Sequence, residues 1–278
     1  MPYTIEPARP GGEAALKRLW KTVFGDPDAF IDAFFETLYQ PDRTITAKEG
    51  GAVISAMYLL DCGSLPAPVG SCGYLYALAT DPAHRGQGAG GAVVLALARL
   101  AADLGYGNSL LSPASADLVP YYTGLGFRPL SYLETAEVVR AANIPDQMDI
   151  KRIHAPVYAA LRRPWIAGTG MDYPIAYLSF LERTLNMSGG GLFSVRCGDD
   201  PGCAAVTMPG NGAVHVKELL IPENQRDSAL AAIARQFDAK TVLLSASCHG
   251  GVWPHTMIYD PSGQFACPFD PRIPFVLD

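Results

Sequence analysis

The chain has 278 residues, 49% of them hydrophobic and 17% charged, with a formal net charge of −6. That composition excludes a disordered chain and supplies apolar surface for one large or two ordinary domains. The acidic balance argues against non-specific nucleic-acid binding as its work, and no nucleic-acid partner is expected. Met1–Arg9 carries Glu6 and two prolines where a signal peptide would have a basic cluster and an apolar core. No apolar run reaches the roughly 20 residues that span a bilayer, so a cytoplasmic protein with no membrane partner is the expected setting. The cysteines, at positions 62, 72, 197, 203, 248 and 267, form no C-x-x-C pair and are expected to be reduced thiols. Cys248, His249 and His255 lie close together, but their spacing fits no zinc pattern, and no metal is expected.

In chain order, Tyr3–Glu6 alternates weakly and predicts a first strand. Gly12–Phe24 places Leu16, Leu19, Trp20 and Phe24 at helical spacing. Asp26-Pro27 then restarts a helix, with Asp26 as the expected cap and Pro27 in the first turn. Thr44–Lys48 and Ala52–Leu60 read as a hairpin about Glu49-Gly50-Gly51. After a Pro-rich loop at Leu65–Gly70, Gly73–Thr80 predicts a strand, Ala92–Leu104 a helix, Asn108–Leu111 a strand and Asp117–Leu125 a short helix. Arg128–Val139 reads as extended. Ala141–Ile150 has no period and reads as a linker, which divides the chain into 1–140 and 151–278. Beyond it, Tyr173–Leu185 predicts a helix and Leu192–Arg196 and Ala204–Met208 predict strands. Val214–Ile221 is a strong strand, followed by an amphipathic helix over Pro222–Phe237 and a strand at Thr241–Ser245. This strand, helix, strand order repeats that of Leu75–Leu111 and implies a degenerate internal duplication.

Between the predicted strand and helix of the first half stands Arg85-Gly86-Gln87-Gly88-Ala89-Gly90-Gly91. The first N–H groups of a helix lack intrahelical partners and carry the positive end of its dipole, so an anion is favoured there. The glycines let backbone approach phosphate oxygens closely, and Arg85 adds a charge-assisted donor. No Lys-Ser/Thr comes after them, so this is not a P-loop. No acidic strand end stands at dinucleotide-fold spacing either.

Arg85–Gly90 resembles the Q/R-x-x-G-x-G/A acetyl-CoA signature of the GNAT superfamily of N-acetyltransferases. Tyr76–Pro82 is similar to that family's fourth strand. Tyr121-Tyr122-Thr123-Gly124-Leu125-Gly126-Phe127 is similar to its later F-Y-x-x-L-G-F block. The resemblance covers roughly residues 1–140 and, with the repeat, implies an α/β mixed-sheet GNAT fold followed by a degenerate GNAT-like C-terminal half, as in tandem GNAT proteins. It implies acetyl-CoA as co-substrate and a small-molecule or peptide amine as acceptor, and leaves a homo-oligomer open. Backbone groups of Leu78 and Thr80 would pair with the pantetheine arm, and Gly86 and the amides of Gln87, Gly88, Ala89 and Gly90 would surround the pyrophosphate beside Arg85. An N–H near Leu78 or Ala79 would face the developing oxyanion. Tyr122 would protonate the departing thiolate. The predicted fourth strand carries no carboxylate, and Glu36, Asp61, a water chain and the terminal carboxylate at Asp278 stay open as the general base. In the second half, Pro222-Glu223-Asn224-Gln225-Arg226-Asp227 occupies the place of the phosphate loop without a glycine and with two acids, Glu223 and Asp227, so one CoA site per chain is expected.

Overall fold

A computed structural model describes residues 3–138, 148–197, 200–210, 212–248, 250–263, 267–275 and 277. The chain forms two compact units. Unit 1 comprises residues 1–130, 252–268 and 277–278, and unit 2 comprises 131–251 and 269–276. Most of the linker expected at 141–150, residues 141–147, lies outside the described residues, as does Asp278.

Unit 1 begins with strand β1 (Thr4–Pro7) and helices α1 (Glu13–Phe24) and α2 (Asp28–Thr37). Strands β2 (Thr44–Glu49), β3 (Ala52–Leu65) and β4 (Gly70–Thr80) come next, then helix α3 (Ala89–Asp103), strand β5 (Asn108–Leu111) and helix α4 (Val119–Gly124). β1 to β4 are antiparallel neighbours, while β4 and β5 run parallel because the helix α3 crosses between them. α3 covers the sheet with Val93, Val94, Leu97, Ala98 and Ala101, all buried with Leu59, Leu75 and Phe127 in one core. Each valine, leucine or phenylalanine in it contributes on the order of 1.5–3 kcal/mol when fully buried. α1 buries Leu16, Leu19 and Trp20 and ends at Gly25, whose φ of 75° is the left-handed stop that glycine favours.

Unit 2 begins with strand β6 (Arg128–Val138), of which Ser131 onward belongs to it, and β7 (Asp149–Ile153). Helices α5 (Ala155–Ile166) and α6 (Ile175–Met187) precede strands β8 (Gly191–Cys197), β9 (Asp200–Gly210) and β10 (Ala213–Leu220). Helix α7 (Arg226–Gln236) then crosses to strand β11 (Thr241–Cys248). β7, β8, β9 and β10 are antiparallel neighbours, and β10 and β11 are parallel. The duplication read from the sequence is therefore present strand for strand. Each unit closes its sheet with a strand from a distant part of the chain. β12 (Thr256–Tyr259) pairs antiparallel with β5 in unit 1, and β6 pairs antiparallel with β11 in unit 2.

Several expectations change in detail. Asp26 does not cap α2; the residue before that helix is Pro27, and Asp26 Oδ2 instead accepts the Trp20 indole N–H at 2.7 Å. Trp20 is thereby fixed against Phe34, ring centroids 4.8 Å apart. The Pro-rich loop is shorter than expected, since β3 runs to Leu65 and β4 starts at Gly70. α3 starts at Ala89, inside the glycine run rather than after it. The short helix near 117–125 is a 3-10 turn, Ala116–Leu118, running into α4. α5, β7 and β12 carry no expectation from the sequence: α5 contains Pro164, and the two strands are only four or five residues long.

Candidate functional site

β4 makes the site by leaving its neighbours in two ways. Against β3 it carries a register shift between Ala56↔Ala79 and Tyr58↔Tyr76, with Ala77 at φ 52°. A non-glycine residue in the left-handed region is strained, and such strain inside a strand marks a bulge that re-aims the chain. Against β5, pairing runs only from Cys72↔Asn108 to Tyr74↔Leu110. β4 continues another six residues to Thr80 while β5 ends at Leu111, so the two parallel strands part.

A cleft of about 1000 Å³ lies where β4, the glycine loop and α4 meet. Of the residues expected to hold the cofactor, Leu78, Thr80 and Arg85 through Gly90 all line it, as does Tyr122. Ala79 does not; it is buried, and its carbonyl accepts the Ser55 hydroxyl at 2.9 Å. The same hydroxyl lies 2.9 Å from Thr80 Oγ1, which fixes the last residue of the strand.

The loop is built for close approach. Gly86 and Gly88 sit at φ 74° and 84°, and Gly88 precedes the first residue of α3 without a side-chain cap on the helix start. A Cβ at Gly90 would stand 3.1 Å from Thr80 Oγ1 and 3.2 Å from the Tyr121 hydroxyl, so side chains at the helix start would fill the cradle. The turn before the loop is pinned by Asp81, whose carboxylate accepts the Ala83 N–H at 2.9 Å. His84 Nε2 is 3.1 Å from the Glu49 carboxylate, tying the loop to the β2–β3 hairpin. Arg85 folds back, its Nε donating to the Thr80 carbonyl at 3.3 Å. The positive helix end, an arginine and backbone facing a cleft that a Cβ would close suit a phosphate group.

Tyr122 is buried at 6% exposure, with its ring edge-on to Tyr121 and Phe127. Burial pushes its phenol up to about 12, and Tyr121 adds to the shift. The group therefore keeps its proton at neutral pH, the state a proton donor needs. Tyr3, Leu95, Leu118, Tyr121 and Leu125 are among the other lining residues and were not singled out from the sequence. Tyr121 was within reach of sequence reasoning, because it opens the aromatic block; Tyr3 was not, because it arrives through pairing of β1. Among the described residues no Asp or Glu lines the cleft. Asp61 is exposed and accepts the Gly63 N–H at 2.9 Å, and Glu36 is exposed on α2. Asp278, a candidate base, and His249, a candidate metal ligand, lie outside the described residues.

A family model described as the acetyltransferase (GNAT) family matches residues 13–127, which contain β2 to β5, the glycine loop and Tyr122. No curated protein matches the chain by sequence. Solved structures match its fold. A GCN5-related N-acetyltransferase from Anabaena variabilis ATCC 29413 is 14% identical with TM-score 0.75, over 92% of this chain and 72% of that one. One from Kribbella flavida is 15% identical with TM-score 0.70, over 92% and 70%. A tandem GNAT protein from the clavulanic acid biosynthesis pathway is 12% identical with TM-score 0.55, over 93% and 98%. At those identities the likeness is one of fold, and it extends across both units. Residues 13–127 thus match the acetyltransferase (GNAT) family, and the fold around them is similar to that of solved GNAT structures.

Proposed function

We propose that this protein transfers the acetyl group of acetyl-CoA to a primary amine of a small molecule or peptide, in the cleft of unit 1. The observation that carries the reading is the coincidence, in one cleft, of parted parallel strands, an open glycine loop at the start of α3 and the protonated Tyr122. Acetyl-CoA supplies a thioester when bound. The free backbone edge of β4 around Leu78 and Thr80 orients its pantetheine arm. Gly86, Gln87, Gly88, Ala89 and Gly90, with Arg85, hold its pyrophosphate by N–H donation and charge. A backbone N–H of β4 near Leu78 or Ala79 stabilises the oxyanion of the tetrahedral intermediate. Tyr122 donates its proton to the departing sulfur. The proton of the attacking amine passes to one of the acceptors that the sequence leaves open: Glu36, Asp61, a water chain or the carboxylate at Asp278. In this division of labour residues 1–140 act, and residues 151–278 support them. Cys62, Cys72, Cys203, Cys248 and Cys267 are all free thiols, in keeping with a cytoplasmic setting.

A second reading, acyl-CoA binding without turnover, is favoured by the absence of a carboxylate among the described lining residues. Free-thiol release from acetyl-CoA with a panel of primary amines separates the two. Amine-dependent release carries the first reading. Thermal stabilisation by CoA with no release for any amine replaces it by the second.

A further inference from the structure

Unit 2 has a cavity of its own where its parallel strands part. β10 and β11 pair from Ala213↔Thr241 to Val216↔Leu244, and β10 carries a register shift against β9 between Val216 and Glu218. β10 then continues to Leu220 and β11 to Cys248. The cavity between the strand ends holds about 220 Å³. At about 30 Å³ per water that is room for roughly seven waters, too little for a nucleotide cofactor and enough for an acid of amino-acid size.

Its chemistry is that of an anion site with an apolar wall. Leu133, Leu219, Leu244 and Pro274 line it together with Lys217, Arg226 and Arg272. Two acids also line it, and both are paired. The buried Glu218 accepts the Tyr158 hydroxyl at 2.5 Å and Arg162 Nε at 2.9 Å, and Glu223 pairs with Arg226 at 3.1 Å. With Arg162 behind Glu218, cations outnumber carboxylates among the described residues around the cavity. Arg272 is exposed and makes no ion pair among the described residues. Its backbone is fixed on both sides, its N–H donating to Thr169 at 2.8 Å and its carbonyl accepting from Met171 at 3.0 Å, which anchors the residue beside the cavity. Ser245 and Ser247 line the cavity from β11, the strand across from Lys217.

We propose that this cavity binds a small organic carboxylate, with the carboxylate toward Lys217 and Arg272 and the apolar body against Leu133, Leu219 and Leu244. The acid sits in a site separate from the acyl-CoA cleft of unit 1, so the degenerate half is a small-acid receptor. Calorimetric titration of the full chain with sodium isovalerate, methyl isovalerate and inorganic phosphate tests this. Saturable binding of isovalerate is expected, with none of the ester, at least fivefold weakening in Arg272→Ala and in Lys217→Met, and unchanged binding in Gly90→Asp. The two variants change side chains away from the core, and their unfolding curves verify that they fold. Absence of saturable isovalerate binding, equal binding of the ester, tighter binding of phosphate, or loss of binding in Gly90→Asp but not in Arg272→Ala each overturns the proposal.

Discussion

The two units differ most in how the chain leaves the fourth strand. In unit 1 a 3-10 turn, Pro82–His84, is followed by four residues of loop before α3, two of them glycines with positive φ. In unit 2 the corresponding turn, Glu223–Gln225, runs directly into α7 with no loop at all. Both fourth strands bulge, and both part from a parallel fifth. The opening in the sheet is thus a property of the fold, whereas the proposed pyrophosphate site depends on a short stretch of backbone without side chains. Behind the fourth strand the contrast reverses. Unit 1 packs rings there, with Trp20, Phe34, Tyr58 and Tyr76 in mutual contact, while unit 2 buries an ion pair, Arg162 to Glu218.

The largest expected effect breaks that second contrast. Arg162→Met leaves Glu218 buried without its partner and lowers stability by about 3–5 kcal/mol, measured by urea unfolding. Arg162→Met/Glu218→Leu recovers most of the loss, because the buried charge goes with its partner. Next, Gly90→Asp gives unit 1 an acid and a Cβ such as the corresponding turn of unit 2 carries. Acetyl-CoA affinity is expected to fall about 100-fold, or about 2.7 kcal/mol, by calorimetry. Tyr122→Phe tests the chemical half of the site: kcat falls about 50-fold, with the KM for acetyl-CoA within about twofold. The phenol's folded value of about 12 lies above the ordinary value of about 10, so the protonated acid persists through pH 10. The alkaline loss of kcat in the native chain is then expected nearer pH 12 than pH 10, and a limb centred near 10 removes Tyr122 from the role. Asp26→Ala costs about 1 kcal/mol, the net worth of the bond to the Trp20 indole. The smallest effect is the converse of the second: Glu223→Gly/Asp227→Asn gives unit 2 no measurable CoA binding, because removing charge does not create the missing loop.

Much of the loop proposed to hold the phosphates was legible because it is local. Arg85 to Gly90 are consecutive, their proposed role depends on backbone conformation, and glycine spacing reports that conformation directly. The aromatic block at Tyr121–Phe127 was legible for the same reason. The Asp26 cap failed because capping competes with a stronger acceptor role toward a buried indole six residues back, which local pattern does not reveal. α5 was hidden by Pro164, which stands inside the helix close to its end.

The sequence by itself determined the α/β class, the repeat of strand, helix and strand, the single glycine loop and the tyrosine that faces it. Those are written in contiguous residues, where steric and hydrogen-bonding preferences act over one turn of chain. Tertiary structure alone decided that unit 1 is completed by β12 and unit 2 by β6, that Tyr3 reaches the cleft, and that Arg162 meets Glu218 across 56 positions. Strand partners and buried ion pairs join residues far apart in the chain, and their choice depends on total burial and register rather than on any local signal.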